Sequence, residues 1–487
     1  MLALAAVLRL WSLGHPDSLV FDELYYVRDA ISQLAHGYPT VWPDDDPAFD
    51  GNRALMFGDT ASTIAHPPLG KWLIGFGVLF AGADSGWGWR VAVALAGVAT
   101  VAATMRLATL LTRSTWVAWI AGLMLAIDGI HIVLSRVALL DGLLALFIVL
   151  GALCTVRDQL GMSQGSAPTR VRWARPWLVA AAVMFGAAAS IKWSGLYAFA
   201  AFLVLITLSD FVRRANSAQD RELARAQRPI LGTVAQAGST ALIALPVAAV
   251  SYLVTWIGWI VSPGGQYRSE GTPWWESLWA WHANALSWHS SLDAPHPYQA
   301  HPLSWPLGLR PTAMFFERSD THTAVISPIP NVLVTWAGVL ALVWLGWILV
   351  RACALAIRQR STLPLGTRGV WVGAIVLTGY LSGWVPWLLT WSRPAVFQFY
   401  AVVLTPFAAL ALGLALAALA GAPRATFMSD AAGMRLDPTP ASAQGRRLAV
   451  AIFVSVAVIL SVLFWPLWAG IPVEHWFYRW HLWLPGW

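Results

Sequence analysis

Long runs of uncharged apolar residues recur along the 487-residue chain and constrain its fold more than any other feature. Apolar residues make up 58% of the sequence and charged residues only 11%, whereas soluble proteins carry about 25% charged residues. A run of about 20 apolar residues allows a helix to cross the hydrocarbon core of a bilayer. The sequence therefore predicts an all-α polytopic membrane protein with one integral membrane domain over 1–487. It excludes a soluble enzyme, a disulfide scaffold and a disordered chain.

Apolar runs bounded by charged residues predict eleven membrane spans. The first run has only 13 residues and contains Arg9, so either it lies in a thinned part of the bilayer or translation begins upstream of Met1. A cleaved signal peptide fits less well, because no small-residue cleavage site follows the run. The predicted spans are 1–13, 87–111, 116–134, 137–156, 176–191, 194–211, 237–261, 327–350, 370–391, 395–420 and 448–469.

The basic residues are distributed unevenly between the two sides of these spans. With the N-terminus inside, the inner loops hold 19 basic residues and the outer side holds 11, while 6 acidic residues lie inside and 18 outside. Cytoplasmic loops of membrane proteins collect Arg and Lys. The bias predicts an N-in, C-out protein of the cell membrane, and it accounts for the net charge of +7 without a nucleic-acid partner.

Two predicted outer segments are long, namely 14–86 with 73 residues and 262–326 with 65. Long loops without a domain of their own are usually functional, which predicts chemistry on the outer face. The inner segment 424–447, rich in Ser, Gly and Pro, is typical of a flexible connector. The Trp residues of the second loop are typical of an aromatic belt, and its His residues lack the spacing of metal ligands. Cys154 and Cys353 have no CxxC spacing, so the sequence predicts no metal, cofactor or disulfide.

An acidic pair, Asp22 and Glu23, directly follows the first predicted span. Apolar residues then recur every three or four positions up to Gly37, which predicts an amphipathic helix on the outer membrane surface. Acidic residues in the first turn of a helix complement its dipole, and this is the simpler interpretation of the pair. A carboxylate at the mouth of a membrane cavity is also the group that a sugar transfer needs as a general base.

His66 and Lys71 lie on either side of a Pro-Pro pair in the same outer segment. Two prolines favour the first turn of a helix, so the sequence predicts a helix that continues to Ala81 along the membrane interface. By itself this pattern indicates a helix start. Beside the acidic pair, it makes both side chains candidates for contacts to a phosphate or a sugar.

Several charged residues fall at the outer ends of predicted spans. They could reach the interface and pair with each other, for example Arg136 with Asp141. Cations that converge on one leaflet also suit a lipid phosphate, which guanidinium groups bind well. The candidates for substrate binding at these ends are Arg90, Arg136, Asp141, Lys192 and Arg393.

Seven short segments together make the chain recognisable. They are 21–23, 66–71, 135–141, 189–196, 301–306, Arg393 with Phe397 and Tyr400, and 465–468. In this order they resemble the protein O-mannosyltransferases, in their bacterial branch. The resemblance covers essentially the whole chain and depends on the ordered set with eleven spans, because each motif alone is weak.

The resemblance implies a GT-C glycosyltransferase fold and transfer of mannose from polyprenyl-phosphate mannose to Ser or Thr of proteins that cross the membrane. It implies that Asp22 is the catalytic base and that Glu23 contacts the acceptor. The partners are then the lipid-linked donor, polypeptide acceptors and the surrounding membrane lipids. Eukaryotic members insert a β-trefoil domain in the second large loop, and the 65 residues of 262–326 are too few for it.

The chemistry of the residues agrees with this resemblance. A neutral hydroxyl is a weak nucleophile, so a carboxylate must accept its proton while cations stabilise the leaving phosphate, and in-line attack inverts the anomeric centre. Two alternatives stay open: a related polyprenyl-phosphate-sugar transferase that acts on a glycan or lipid, and a transporter or flippase gated by Asp22 and Arg136. A transporter should carry charges near mid-membrane and paired broken helices, whereas these charges crowd one leaflet.

Overall fold

The computed structural model describes residues 1–487 except 50, 164–169, 218–227, 294, 391–394, 423 and 435–438. The described residues are mostly helical, which confirms the predicted fold class. The helices are α1 Leu2–Leu10, α2 Glu23–His36, α3 Leu69–Ala81, α4 Gly86–Thr112, α5 Thr115–Ala126, α6 Gly129–Val133, α7 Leu140–Ser163, α8 Pro176–Ile191, α9 Gly195–Ser217, α10 Pro229–Val254, α11 Ile257–Val261, α12 Trp274–Ser291, α13 Val332–Gln359, α14 Arg368–Leu389, α15 Thr405–Leu419, α16 Thr426–Ala432, α17 Pro440–Ala469 and α18 His475–Trp480.

Eight helical stretches among the described residues are long and apolar enough to cross a membrane. They are α4, α7, α9, α10, α13, α14, α17 and α15 together with the 3-10 turn Gln398–Leu404 that precedes it. α3, α5 and α8 are apolar but shorter. The chain is thus a multi-pass membrane protein, while the count of eleven spans and the N-in orientation stay predictions.

The predicted span 116–134 is interrupted in the structure. Helix α5 ends at Ala126, and Asp128 begins the short helix α6 by accepting a hydrogen bond of 3.0 Å from the backbone N–H of His131. An aspartate at this position satisfies backbone N–H groups at the start of a helix, so it ends one helix and starts another. The first predicted span, 1–13, contains a helix of only nine residues.

Helices α7 and α15 form the interior of the bundle. In each, 78% of the most apolar stretch is buried, against 22% in α10 and α17, which lie at the periphery. α7 packs against α4 and α8, and α15 packs against α5. A Cβ atom on Gly413 of α15 would lie 3.0 Å from the backbone nitrogen of Ala121, so glycine allows these two helices to approach closely.

The predicted outer segment 14–86 folds around α2 and α3. α2 covers the predicted amphipathic stretch and ends at Gly37, whose φ of +82° is favourable for glycine. α3 begins directly after Pro68, as the Pro-Pro pair predicts. The two helices pack closely at Gly75, where a Cβ atom would lie 2.9 Å from Cγ of Leu34. This packing holds the C-terminal half of α2 against α3, and Asp22 lies at the other end of α2.

A small antiparallel sheet, which the sequence did not predict, joins the second large loop to the C-terminal segment. Its strands are β1 Phe315–Arg318, β2 His322–Ile326 and β3 Val473–Glu474, in the order β1-β2-β3. The strands have two to five residues, and β2 is the central one. Such short strands carry little periodicity, so a pattern-based prediction misses them.

Candidate active site

A cavity of about 580 Å³ lies beside the segment that contains Asp22. Its walls come from the start of α7, the residues after α8, the end of α12 and the 3-10 turn before α15. The charged and aromatic side chains that line it include His66, Asp141, Lys192, His289 and Tyr400. Three of these, His66, Asp141 and Lys192, were candidates from the sequence alone.

Asp22 lies at the N-terminal end of α2, where its backbone carbonyl accepts a hydrogen bond of 3.0 Å from the N–H of Tyr26. The residue before it, Phe21, has a φ of +48°, a strained conformation for a bulky residue. The ring of Phe21 packs edge-on against Phe399 at 5.5 Å, which holds the chain in this conformation. Asp22 is therefore presented by a rigid turn.

The carboxyl group of Asp22 is half-buried and has an altered acidity. Burial raises its pKa to about 6, the positive charge of Lys192 acts in the opposite direction, and the negative charge of Asp141 adds to the increase. Asp22 is therefore close enough to both cavity residues to interact with them electrostatically. A carboxylate with a pKa near the working pH is well suited to accept a proton.

Lys192 and Asp141 form the central ion pair of the cavity. Nζ of Lys192 lies 2.8 Å from Oδ2 of Asp141, and both side chains are more than 90% buried. The ammonium group also lies 4.7 Å from the centre of the Tyr400 ring, which adds a cation–π contact. Lys192 follows the last residue of α8 and Asp141 lies in the first turn of α7, so the packing of these two helices brings the pair together.

The structure does not pair Arg136 with Asp141, which corrects that interpretation. Arg136 donates hydrogen bonds to the carbonyl groups at the end of α1, including those of Arg9 at 3.3 Å and Trp11 at 2.8 Å. Its guanidinium group also lies 5.4 Å from the centre of the Trp465 ring. These contacts give Arg136 a structural role, and its predicted contact with a lipid phosphate does not fit this geometry.

Glu23 is completely buried and does not line the cavity. Its two carboxylate oxygens each accept a hydrogen bond of 2.8 Å from Arg90, and they also accept bonds from the backbone N–H groups of Val20 and Ala138. Arg90 in turn donates to the carbonyl of Pro16 at 2.8 Å. The Glu23–Arg90 pair thus joins α2, α4 and the segment before α7. These contacts do not fit the predicted contact of Glu23 with the acceptor or of Arg90 with the substrate.

His66 and Lys71 occupy different environments, although they are close in sequence. His66 lines the cavity and stacks on His289, with 5.5 Å between the ring centres. Lys71 is buried in α3 and forms an ion pair of 2.8 Å with Asp29 of α2. His66 therefore stays a candidate for substrate contact, whereas the contacts of Lys71 hold two helices together.

One predicted substrate-binding residue lies outside the described part of the chain. Arg393 is one of the residues 391–394 that the structure does not describe. Within the described ranges, no cluster of His, Cys, Asp and Glu has an arrangement that could hold a metal ion.

Sequence reasoning did not single out Tyr26, a neighbour of Asp22 on α2, and it gave His289, which lines the cavity, no specific role. Tyr26 lies one helical turn after Asp22, and burial, together with the charges of Asp22 and Asp141, raises its pKa well above the usual value. The i, i+4 spacing on α2 was the available signal. His289 comes from the second large loop, and the sequence holds no sign that α12 folds back onto this cavity.

Comparison with known proteins agrees with this architecture along the whole chain. Residues 1–259 match the family model described as dolichyl-phosphate-mannose-protein mannosyltransferase. Residues 274–487 match the model of the C-terminal four-transmembrane region of protein O-mannosyltransferase. The two matches include the Asp22 segment, α7, α8 and the 3-10 turn before α15.

Individual relatives have similar lengths. The chain is 30% identical to a polyprenol-phosphate-mannose–protein mannosyltransferase of Mycobacterium tuberculosis, over 99% of this chain and 88% of the relative. It is 28% identical to the protein of the same name from Corynebacterium glutamicum, over 96% and 88%. Among solved structures, the S. cerevisiae protein O-mannosyltransferase Pmt1-Pmt2 complex bound to the sugar donor matches with a TM-score of 0.73 and 15% identity, over 100% of this chain and 91% of that chain. This likeness supports the predicted GT-C fold.

Proposed function

The chain belongs to the protein O-mannosyltransferase family and is a membrane glycosyltransferase, and we propose that it transfers mannose from polyprenyl-phosphate mannose to Ser and Thr hydroxyls of proteins with Asp22 as the base. The donor and the acceptor class come from the names of the relatives. The observation that carries the proposal for the site is the position of Asp22, a carboxyl group with a raised pKa beside a cavity that contains the Lys192–Asp141 pair.

In the proposed reaction, the acceptor hydroxyl oxygen attacks the anomeric carbon of the mannose. The bond from that carbon to the phosphate oxygen breaks, and the electron pair leaves with the lipid phosphate. The hydroxyl proton passes to the Asp22 carboxylate, which is mostly ionised at pH 7 because its pKa is about 6. The attack takes place opposite to the leaving group, so the anomeric configuration is inverted.

We assign to Lys192 the stabilisation of the leaving phosphate. An ammonium group has three N–H donors, so its bond to Asp141 leaves donors for phosphate oxygens. Cations that act in a site with little water stabilise developing negative charge strongly. Asp141 is then a positioning residue, and Arg393 stays a second candidate for the phosphate.

We place the cavity on the outer face of the cell membrane. The support is the excess of basic residues on the opposite side, 19 against 11, with the N-terminus inside. The acceptors are then secreted or membrane proteins, which present their Ser and Thr residues on that face. His66 and His289, stacked at the cavity wall, are the side chains that we expect to face the sugar or the acceptor.

A transfer assay tests this proposal. Membranes that contain the protein are incubated with radiolabelled polyprenyl-phosphate mannose and a Ser/Thr-containing peptide, with the same peptide carrying Ala at these positions as the control. We expect label in the first peptide only. Digestion of the donor and of the labelled peptide with α- and β-mannosidases should show that the anomeric configuration of the mannose has been inverted. Label in a glycan or lipid instead of the peptide would favour the related transferase, and movement of intact donor across the membrane without transfer would favour a transporter.

A further inference from the structure

A second cavity, of about 940 Å³, lies at the end of the bundle opposite to Asp22. Its walls come from α4, α7, α9, α13 and α14. On α7 the lining residue Gln159 lies near the C-terminal end, whereas Asp141 lies in the first turn. The two residues are 18 positions apart, which corresponds to about 27 Å at a rise of about 1.5 Å per residue. This second cavity is therefore separate from the candidate active site.

The second cavity is positively charged at one end and apolar along its length. From α9 both Arg213 and Leu205 line it, and their separation of eight positions corresponds to about 12 Å along the helix. On α14, Arg368 occupies the first helical position, and Trp371 and Ala374 follow on the wall. An amphiphile with an anionic group at one end and a hydrocarbon chain at the other matches this distribution.

The arginines at the polar end differ in their acidic partners among the described residues. Asp210 pairs with both Arg213 and Arg214. Across the ranges that the structure describes, no carboxylate forms an ion pair with Arg113 or Arg368. Arg113 is also close enough to Arg368 for their charges to repel each other. A phosphate group between them would relieve this repulsion.

We propose that the second cavity binds an anionic glycerophospholipid of the membrane. A planar guanidinium group can donate two parallel hydrogen bonds to the oxygens of one phosphate. We therefore place the lipid phosphate among Arg113, Arg213 and Arg368. One acyl chain follows the wall of Leu205 and Leu349, where burial of the chain favours binding. Inorganic phosphate has no such chain, so the cavity selects the lipid over the free anion.

The cavity contains a native reporter of its occupancy. Cys353 of α13 lines it and is exposed, whereas the second cysteine, Cys154, is buried. The full-length protein is placed in nanodiscs of phosphatidylcholine alone or of phosphatidylcholine with phosphatidylglycerol, and the rate of Cys353 modification by N-ethylmaleimide is measured. We expect phosphatidylglycerol to slow the modification about tenfold, because a bound lipid covers the thiol.

The double variant Arg113→Gln/Arg368→Gln should lose this protection, and it should lose the phosphatidylglycerol that native mass spectrometry detects on the parent protein. Arg358→Gln is the matched control, since Arg358 is exposed near the end of α13 and does not line the cavity. Asp22→Asn should keep full protection, so the outcome does not depend on the transfer reaction.

Three results would overturn the proposal. The first is an equal rate of Cys353 modification in both membranes, a comparison that needs no variant and holds even where the double variant does not fold. The second is protection that persists unchanged in a folded double variant. The third is equal protection by inorganic phosphate, which would indicate a simple anion site.

Discussion

Arg90 holds both carboxylate oxygens of Glu23 at 2.8 Å in a site from which water is excluded. The next residue toward the N-terminus, Asp22, interacts electrostatically with Lys192 and Asp141, which line the cavity. The two adjacent acidic residues thus differ in their surroundings: Glu23 joins the helices, and Asp22 is the base that we propose. The pair should therefore be tested one residue at a time.

Removal of the negative charge of Glu23 should mainly affect stability. Glu23→Gln leaves the Arg90 charge buried without a counter-charge, and such a loss typically costs about 3–5 kcal/mol. We expect a clearly lower melting temperature in detergent, with little change in the KM for the peptide measured on the folded fraction. Glu23→Gln/Arg90→Met should regain part of the stability, because neither buried charge then remains.

Asp84→Asn is the control for this series, since Asp84 is exposed and lies in the same large segment. A parental melting temperature for Glu23→Gln, together with a raised KM for the peptide, would show that Glu23 contacts the acceptor after all.

The transfer rate should depend on pH through Asp22. Its pKa is raised to about 6, so the base is increasingly protonated and inactive below pH 6. We expect the rate to rise about tenfold per pH unit below 6 and to level off above about 7. His66 also lines the cavity, so His66→Gln distinguishes the two groups: the inflection near pH 6 should remain in this variant. A flat profile between pH 5 and 7.5 would contradict the assignment.

Lys192 should contribute to turnover rather than to stability alone. Lys192→Gln removes the cation that we assign to the leaving phosphate, and loss of one such donor typically lowers kcat by about 10²–10³. Arg310→Gln, which alters an exposed arginine of the second large loop, should leave kcat unchanged. The measurement is kcat and KM for the donor in both variants. If Lys192→Gln keeps the parental kcat, another cation, with Arg393 the first candidate, stabilises the leaving group.

The orientation of the chain can be tested by cysteine labelling from outside intact cells. In a background without Cys154 and Cys353, single cysteines at positions 45 and 290 should react with a membrane-impermeant maleimide, and a cysteine at position 360 should react only after lysis. All three positions are exposed, so accessibility within the protein does not limit the reaction. Labelling of position 360 in intact cells would reverse the proposed topology.

Local features of the sequence were sufficient to predict the helices around the site. The spacing of apolar residues and the position of Gly37 predicted α2, and the Pro-Pro pair predicted the start of α3. These signals act within a few residues, so they survive in any tertiary context. The break at Asp128 was missed because hydropathy alone does not distinguish a continuous span from two helices joined by a capping residue.

The partners of the charged residues could not be predicted in the same way. Arg90, Arg136 and Lys192 all lie at ends of predicted spans, yet the structure gives them a buried ion pair, a set of backbone carbonyls and a cavity pair, respectively. The direction of a long side chain depends on the packing of neighbouring helices, and this packing is a long-range property. A pattern along the chain therefore located the cations without distinguishing those that face the cavity.

The most direct test of the account is the rate of mannosyl transfer by Asp22→Asn. Asparagine keeps the shape of the side chain but cannot accept the proton, and loss of a general base typically lowers the rate about 10²–10⁴-fold. We predict this loss at saturating donor and peptide, with donor binding and melting temperature close to those of the parent and of Asp84→Asn. If Asp22→Asn retains most of the parental rate, the proton is accepted elsewhere and the proposed mechanism is wrong.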